Sequence, residues 1–207
     1  MSPESSTSSP ESHKLTPKKF ARAAAIGALM GYGINTAIYQ PAMPQDVIHM
    51  AFSQTPQERA LQAGIHEGME VNMNVRCAQP WSMQERGDGF AGITYQLPHI
   101  HNLPYTRIRE AVCAEAVAVG DILAPVSDSE LLDRSGLSLL IVAHETEHYK
   151  DNVSDEAQTT CLALRQTEKL ARGLGASAAV ANQLQEHIVD SIIPRLGEGV
   201  IPSDCKA

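Results

Sequence analysis

His144, Glu145 and His148 are spaced to do metal chemistry. They belong to the string His144-Glu145-Thr146-Glu147-His148, an H-E-x-x-H pattern at the end of the apolar run 137–143. On a helix, side chains four residues apart lie on one face, so the two imidazoles point at one place. A catalytic zinc ion takes three protein ligands and keeps a further position for water. His144 and His148 supply two of those ligands. Glu145 stands beside them as a carboxylate suited to take a proton from a metal-bound water.

The third ligand has to come from another element. The polar stretch 151–154 reads as a turn, and a second helix is expected over 155–172, closed by Gly173 and Gly175. A turn this short makes the two helices neighbours. Glu156 then lies in the first turn of the second helix and faces back toward the His pair, with Asp151 and Asp155 as the next choices. Acidic residues also suit a first helical turn through the dipole and its free N–H groups. Ser154 occupies the place of a metzincin-type third His, and Asp151 stands where that pattern has Gly.

H-E-x-x-H followed by a Glu on the next helix resembles the gluzincin group of zinc metallopeptidases. The run Glu156-x-x-Thr159-Thr160-x-Leu162-Ala163 is similar to the E-x-x-A-N-x-F-A signature of the small ImmA/IrrE-type peptidases. Glu156 and Ala163 match it; Thr159, Thr160 and Leu162 depart from it, and the gap from His148 is shorter. The stretch also resembles uncharacterised secreted or membrane-anchored bacterial proteins that carry H-E-x-x-H, a short loop and D-E-x-x-A-E-C-x-A. Asp155, Glu156, Cys161 and Ala163 match that pattern. The resemblance covers about 137–164 and implies a zincin-like core with peptidase activity on a peptide or protein substrate. Its expected site is zinc on His144, His148 and Glu156, with Glu145 as general base. The oxyanion needs zinc and one more donor, for which Tyr149, His187, His99 and His101 are candidates. His99 and His101 share a face if 99–103 is a strand.

The chain's beginning is unlike its middle. Residues 1–12 are mostly Ser, Pro, Thr and Glu, a composition that buries no core. Lys14, Lys18, Lys19 and Arg22 then precede the uncharged run 23–39. That layout is a signal peptide or signal-anchor, and with neither a clean A-x-A cleavage site nor a nearby lipidation Cys, an uncleaved anchor is expected. The rest would lie outside the cytoplasm, with secretion as the alternative. A cytosolic ImmA/IrrE-like regulatory peptidase, with 23–39 as an ordinary helix, is the competing reading; a non-catalytic, membrane-anchored metal protein is another.

The four cysteines, Cys77, Cys113, Cys161 and Cys205, all follow that run and form no C-x-x-C knuckle. An even count in an exported domain implies disulfides. Three pairings are open to four cysteines; the expected one joins Cys77 to Cys113 and Cys161 to Cys205, tying the tail to the ligand helix. A formal net charge of −8, with no basic patch after Arg22, excludes nucleic acid as a partner. With aromatics at 4%, the core must rest on Ala, Leu, Ile and Val.

The organisation that must position the site is therefore a polar, basic tail (1–20), an anchor helix (21–40), a linker (41–63) and one folded domain (64–207). A short helix is expected over 56–63. Alternation at 71–77, the turn signal Gly87-Asp88-Gly89 and the segments 90–96 and 99–103 predict three strands of a small antiparallel sheet. The resemblance to zincin-like folds implies a sheet edge beside the active helix that holds an extended substrate, and residues 99–103 would be that edge. Pro104 is expected to open a helix over 105–119, with Ile108, Ala111, Val112, Glu115 and Ala116 on one face. The Asp128/Asp133 cluster and Ser135-Gly136 should form the loop and start of the active helix, and a last helix should cover 177–193. Strands first and helices after make an α+β fold.

Overall fold

The computed structural model describes residues 53–78, 92–95, 105–151, 155–197, 200–202 and 205. The basic tail, the anchor segment, His99 and His101 lie outside them. Among the described residues, no helix is long and apolar enough to cross a membrane.

Helix α1, Pro56–Met69, starts at a capping box. The Thr55 hydroxyl accepts the Glu58 N–H at 3.1 Å, and the Glu58 carboxylate accepts the Thr55 N–H at 2.8 Å. The short helix expected over 56–63 begins at Pro56 and runs on to Met69, with Leu61 and Ile65 buried in the core. Glu58 is itself fully buried, and its second oxygen accepts the Cys77 N–H at 2.8 Å and pairs with Arg76 at 2.9 Å. One carboxylate therefore caps a helix and covers a backbone donor of the first strand.

Among the described residues the strands are β1, Asn74–Ala78; β2, Gly92–Tyr95; and β3, Tyr105–Arg109, in the order β1-β3-β2. β1 runs parallel to β3, with Asn74 opposite Tyr105, and β2 runs antiparallel to β3, with Thr94 opposite Thr106. The all-antiparallel sheet expected from sequence is corrected to a mixed one. Alternation in 71–77 shows a half-buried strand but carries no direction, and β1 pairs with the third strand in the chain rather than the second. The expected helix over 105–119 is also corrected. Tyr105, Thr106, Arg107 and Ile108 are all buried, on both faces of a central strand, so no alternation marks them. Helix α2, Glu110–Ala118, follows, and a 3₁₀ turn, Val119–Asp121, ends it.

Helix α3, Ser129–Asp151, is the longest element. Of the expected loop and helix start, Asp128/Asp133 and Ser135-Gly136, the Asp128 end is where the helix begins, because Asp128 accepts the N–H groups of Glu130 (2.9 Å) and Leu131 (3.3 Å). Gly136 is no turn: a Cβ there would meet Ile192 Cδ1 at 2.9 Å and Ile188 Cγ1 at 3.0 Å, so the glycine lets another helix approach. Residues 138–147 are buried throughout, which makes α3 the central helix. Leu139, Leu140 and Val142 are fully buried, each worth about 1.5–3 kcal/mol.

The expected second helix breaks in two: α4, Glu156–Leu164, and α5, Thr167–Gly173. At the break the Thr167 hydroxyl and the Gln185 side-chain amide donate to the Leu164 carbonyl at 3.0 and 2.9 Å. Helix α6, Ala178–His187, passes through a π-helical turn, Ile188–Ile192, into α7, Ile193–Leu196. The fold is α+β, mostly helical, with the small sheet against α3.

Asp133 of α3 accepts hydrogen bonds from Arg195 (2.9 Å from NH1 to Oδ2) and from His187 (2.7 Å), fastening α3 to α6 and α7. The Arg195 guanidinium, helped by His187 and opposed by partial burial, holds the Asp133 carboxyl below its ordinary value. A depressed folded pKa gives stability that is present above the unfolded value and is lost as pH falls through the folded one. Asp133→Asn should therefore cost about 0.5–1 kcal/mol at pH 7, a figure already reduced for solvent screening. Urea midpoints of the two proteins should converge as pH falls below about 4; a gap that persists in acid would contradict this pairing.

Candidate metal centre

Three side chains from two helices converge. His144 Nε2 lies 3.0 Å from His148 Nε2, and Glu156 Oε2 lies 3.0 Å from the first and 3.1 Å from the second. Helix α3 supplies the two imidazoles from successive turns, with the rings edge to face at a centroid distance of 4.6 Å. Helix α4 supplies the carboxylate from its first residue, which its cap aims back at α3. The Asp155 side chain accepts the Gln158 N–H at 2.9 Å, and the Thr159 hydroxyl donates to the Asp155 carbonyl at 2.8 Å. Asp155 is thus a helix cap, exposed, and not a member of the group. Asp151 is the last residue of α3.

The triangle fits a divalent ion. Two ligands bound at about 2.0–2.1 Å to a tetrahedral zinc stand about 3.3 Å apart, so these atoms need to spread by only a few tenths of an ångström. Two imidazole nitrogens and a carboxylate oxygen this close require a proton or a cation between them, and a cation satisfies all three. Side-chain exposures of 9% for His144, 15% for His148 and 22% for Glu156 show the group opening toward solvent on the Glu156 side. Burial alone would raise the Glu156 pKa, but the hydrogen bonds from His144 and His148 outweigh it and bring it below the ordinary value.

A fourth residue completes the arrangement. The Thr160 hydroxyl is buried, donates to the Glu156 carbonyl at 2.9 Å and lies 3.1 Å from His144 Nδ1. With its proton used on the carbonyl, Thr160 can accept from Nδ1–H, the tautomer in which His144 Nε2 is the nitrogen that would ligate a metal. Sequence reasoning registered Thr160 only as a departure from a signature. Its position four residues after Glu156 was the available signal, because that places both on one face of α4. Thr160→Val should weaken zinc binding by roughly 10- to 100-fold, measured by competition with a chromogenic chelator, and Thr160→Ser should restore it. Equal affinity in all three proteins would remove Thr160 from the site.

Glu145 is buried between α3 and β2. The Thr94 hydroxyl reaches its Oε2 at 2.9 Å. Desolvation pushes the Glu145 carboxyl above its ordinary value, against the lowering effect of His144, His148 and Thr94. Such a carboxyl has a higher proton affinity than a solvated one, which suits a base.

The other sequence candidates point elsewhere. The Tyr149 hydroxyl donates to the Asn72 carbonyl at 2.9 Å, and burial raises its pKa. His187 pairs with Asp133. Neither is in the metal group. The cysteines form Cys77–Cys113, joining β1 to α2, and Cys161–Cys205, joining α4 to the C-terminal tail. Cys161 follows Thr160 directly, so the second bond fastens the helix that carries Glu156. No protein-family model, no curated protein and no solved structure matches this chain.

Proposed function

We propose that the protein is a zinc-dependent metallopeptidase that hydrolyses peptide bonds outside the cytoplasm. The observation that carries the reading is the triangle of His144 Nε2, His148 Nε2 and Glu156 Oε2, 3.0–3.1 Å on a side, with Glu145 next in sequence on the same helix. Two imidazoles and one carboxylate are the donor set of a catalytic zinc. When bound there, zinc would supply a Lewis acid and would lower the pKa of a water toward about 7. His144, His148 and Glu156 hold the ion. Glu145 takes the proton from the attacking water and returns it to the leaving amine.

A peptide substrate is favoured by β2, an edge of the described sheet packed on α3 beside Glu145. An extended chain can add along such an edge. The segment 99–103, expected in that role, lies outside the described residues. An oxidising compartment is favoured by the two disulfides. The membrane anchor remains the sequence expectation for 21–40.

The test uses the full chain, stripped with a chelator and then reloaded with zinc, against fluorescently labelled casein. Cleavage should be absent from the stripped protein and return with stoichiometric zinc. Zinc bound without any zinc-dependent cleavage would instead support a non-catalytic metal protein.

A further inference from the structure

Strand β2 faces the proposed base through two residues of one face, Gly92 and Thr94, since alternate residues of a strand share a side. Their contacts with Glu145 are of different kinds. The Thr94 hydroxyl lies 2.9 Å from Glu145 Oε2 and 2.9 Å from the Glu145 carbonyl oxygen. Gly92 contributes an absence: a Cβ there would lie 2.6 Å from Glu145 Cγ and 3.0 Å from both Cδ and Oε1. The carboxylate is therefore packed on one side by bare backbone and hydrogen-bonded on the other.

The Thr94 hydroxyl is itself held. It lies 2.9 Å from the Thr106 hydroxyl, its cross-strand partner in register, which can donate to it and leave the Thr94 proton for Glu145, and the fully buried Thr106 hydroxyl also lies 3.0 Å from Met73 Sδ. This chain of groups spans β2, β3 and the residue just before β1. The sheet's middle fixes a hydroxyl, and that hydroxyl fixes the carboxylate.

We propose that Gly92 and Thr94 are positioning residues for Glu145: strand β2 sets the direction of the base, separately from the residues that hold the metal. The proposal rests on the peptidase reading of the site. It predicts that the strand can be altered so that turnover falls while metal binding stays. Thr94→Val keeps the shape and strand preference and removes the donor. Gly92→Ala keeps the donor and pushes the carboxylate.

The experiment compares full-length wild type, Thr94→Val, Thr94→Ser and Gly92→Ala for zinc affinity, thermal midpoint, and kcat and KM on labelled casein. Thr94→Val and Gly92→Ala should each lower kcat by roughly 10- to 100-fold, as misplacing a reacting group does. KM and zinc affinity should stay within about twofold of wild type, and Thr94→Ser should recover most of the kcat. A kcat for both variants equal to wild type would overturn the positioning role. So would a loss of kcat that tracks a loss of zinc or of folded protein, or a Thr94→Ser variant no better than Thr94→Val. Wild type that binds zinc and cleaves nothing would defeat the peptidase reading itself, and the positioning role with it.

Discussion

Glu145→Gln should lower casein turnover by about 1,000-fold, within the range a positioned general base contributes, and leave zinc content unchanged. The two halves of this result have separate causes. Glu145 is not one of the three converging atoms, so replacing its carboxylate with an amide leaves the ligand triangle intact. The amide cannot accept the proton of the attacking water, and no described neighbour is placed to substitute. Thr94 has one proton, shared between Oε2 and the Glu145 carbonyl, and its hydroxyl is no base; Thr106 is one residue further from the metal group. Gln keeps the shape against Gly92, so packing is conserved. Thermal midpoints should match or rise slightly, because a buried carboxyl that resists ionisation is replaced by a neutral group. A Glu145→Gln variant with more than a tenth of wild-type turnover would rule out Glu145 as the base.

Glu156→Gln should act in the opposite way, on the metal first. Apparent binding energies of about 10–16 kcal/mol for structural zinc sites, shared over the ligands, put one ligand at roughly 3–4 kcal/mol. Zinc affinity should therefore fall by about 100- to 1,000-fold, and turnover should fall with it at limiting zinc and recover in part at saturating zinc. The anionic oxygen is the ligand's main contribution, and Gln retains only a neutral carbonyl on the same stem. In the metal-free protein the same change removes the charge that His144 and His148 face, at 3.0 and 3.1 Å. Zinc should also raise the thermal midpoint of wild type, since a ligand that binds only the folded state stabilises it. That rise should shrink in Glu156→Gln. Wild-type affinity in Glu156→Gln would mean that the third ligand lies elsewhere.

The parts of the site carried by one helix were legible in the sequence. His144 and His148 share a face because of helical spacing alone, and Glu156 followed from a short turn and a helix start. The partner of Glu145 was not legible. The segment around Gly92 and Thr94 reads as a strand, but alternation in a strand does not say which element it packs on. Thr160 was visible only as a mismatch, although a hydroxyl one helical turn from Glu156 is enough to reach a ligand's far nitrogen. The fold was misread where burial hides periodicity. Tyr105 to Ile108 are buried on both faces, and Ile108, Ala111 and Val112 mimic one helical face across the junction of β3 and α2. Gly136 reads as a turn in sequence and is instead a contact point for Ile188 and Ile192. The break between α4 and α5 carries neither Pro nor Gly; Thr167, inside the expected helix, and Gln185, beyond it, donate to the Leu164 carbonyl there.

The most direct test is metal analysis of purified full-length protein by elemental mass spectrometry, for wild type, His144→Ala and Glu145→Gln after equilibration with limiting zinc. The predicted result is one zinc per chain in wild type and in Glu145→Gln, and less than about a tenth of that in His144→Ala, as loss of a ligand requires. Wild type without zinc, or His144→Ala carrying as much as wild type, would contradict the account.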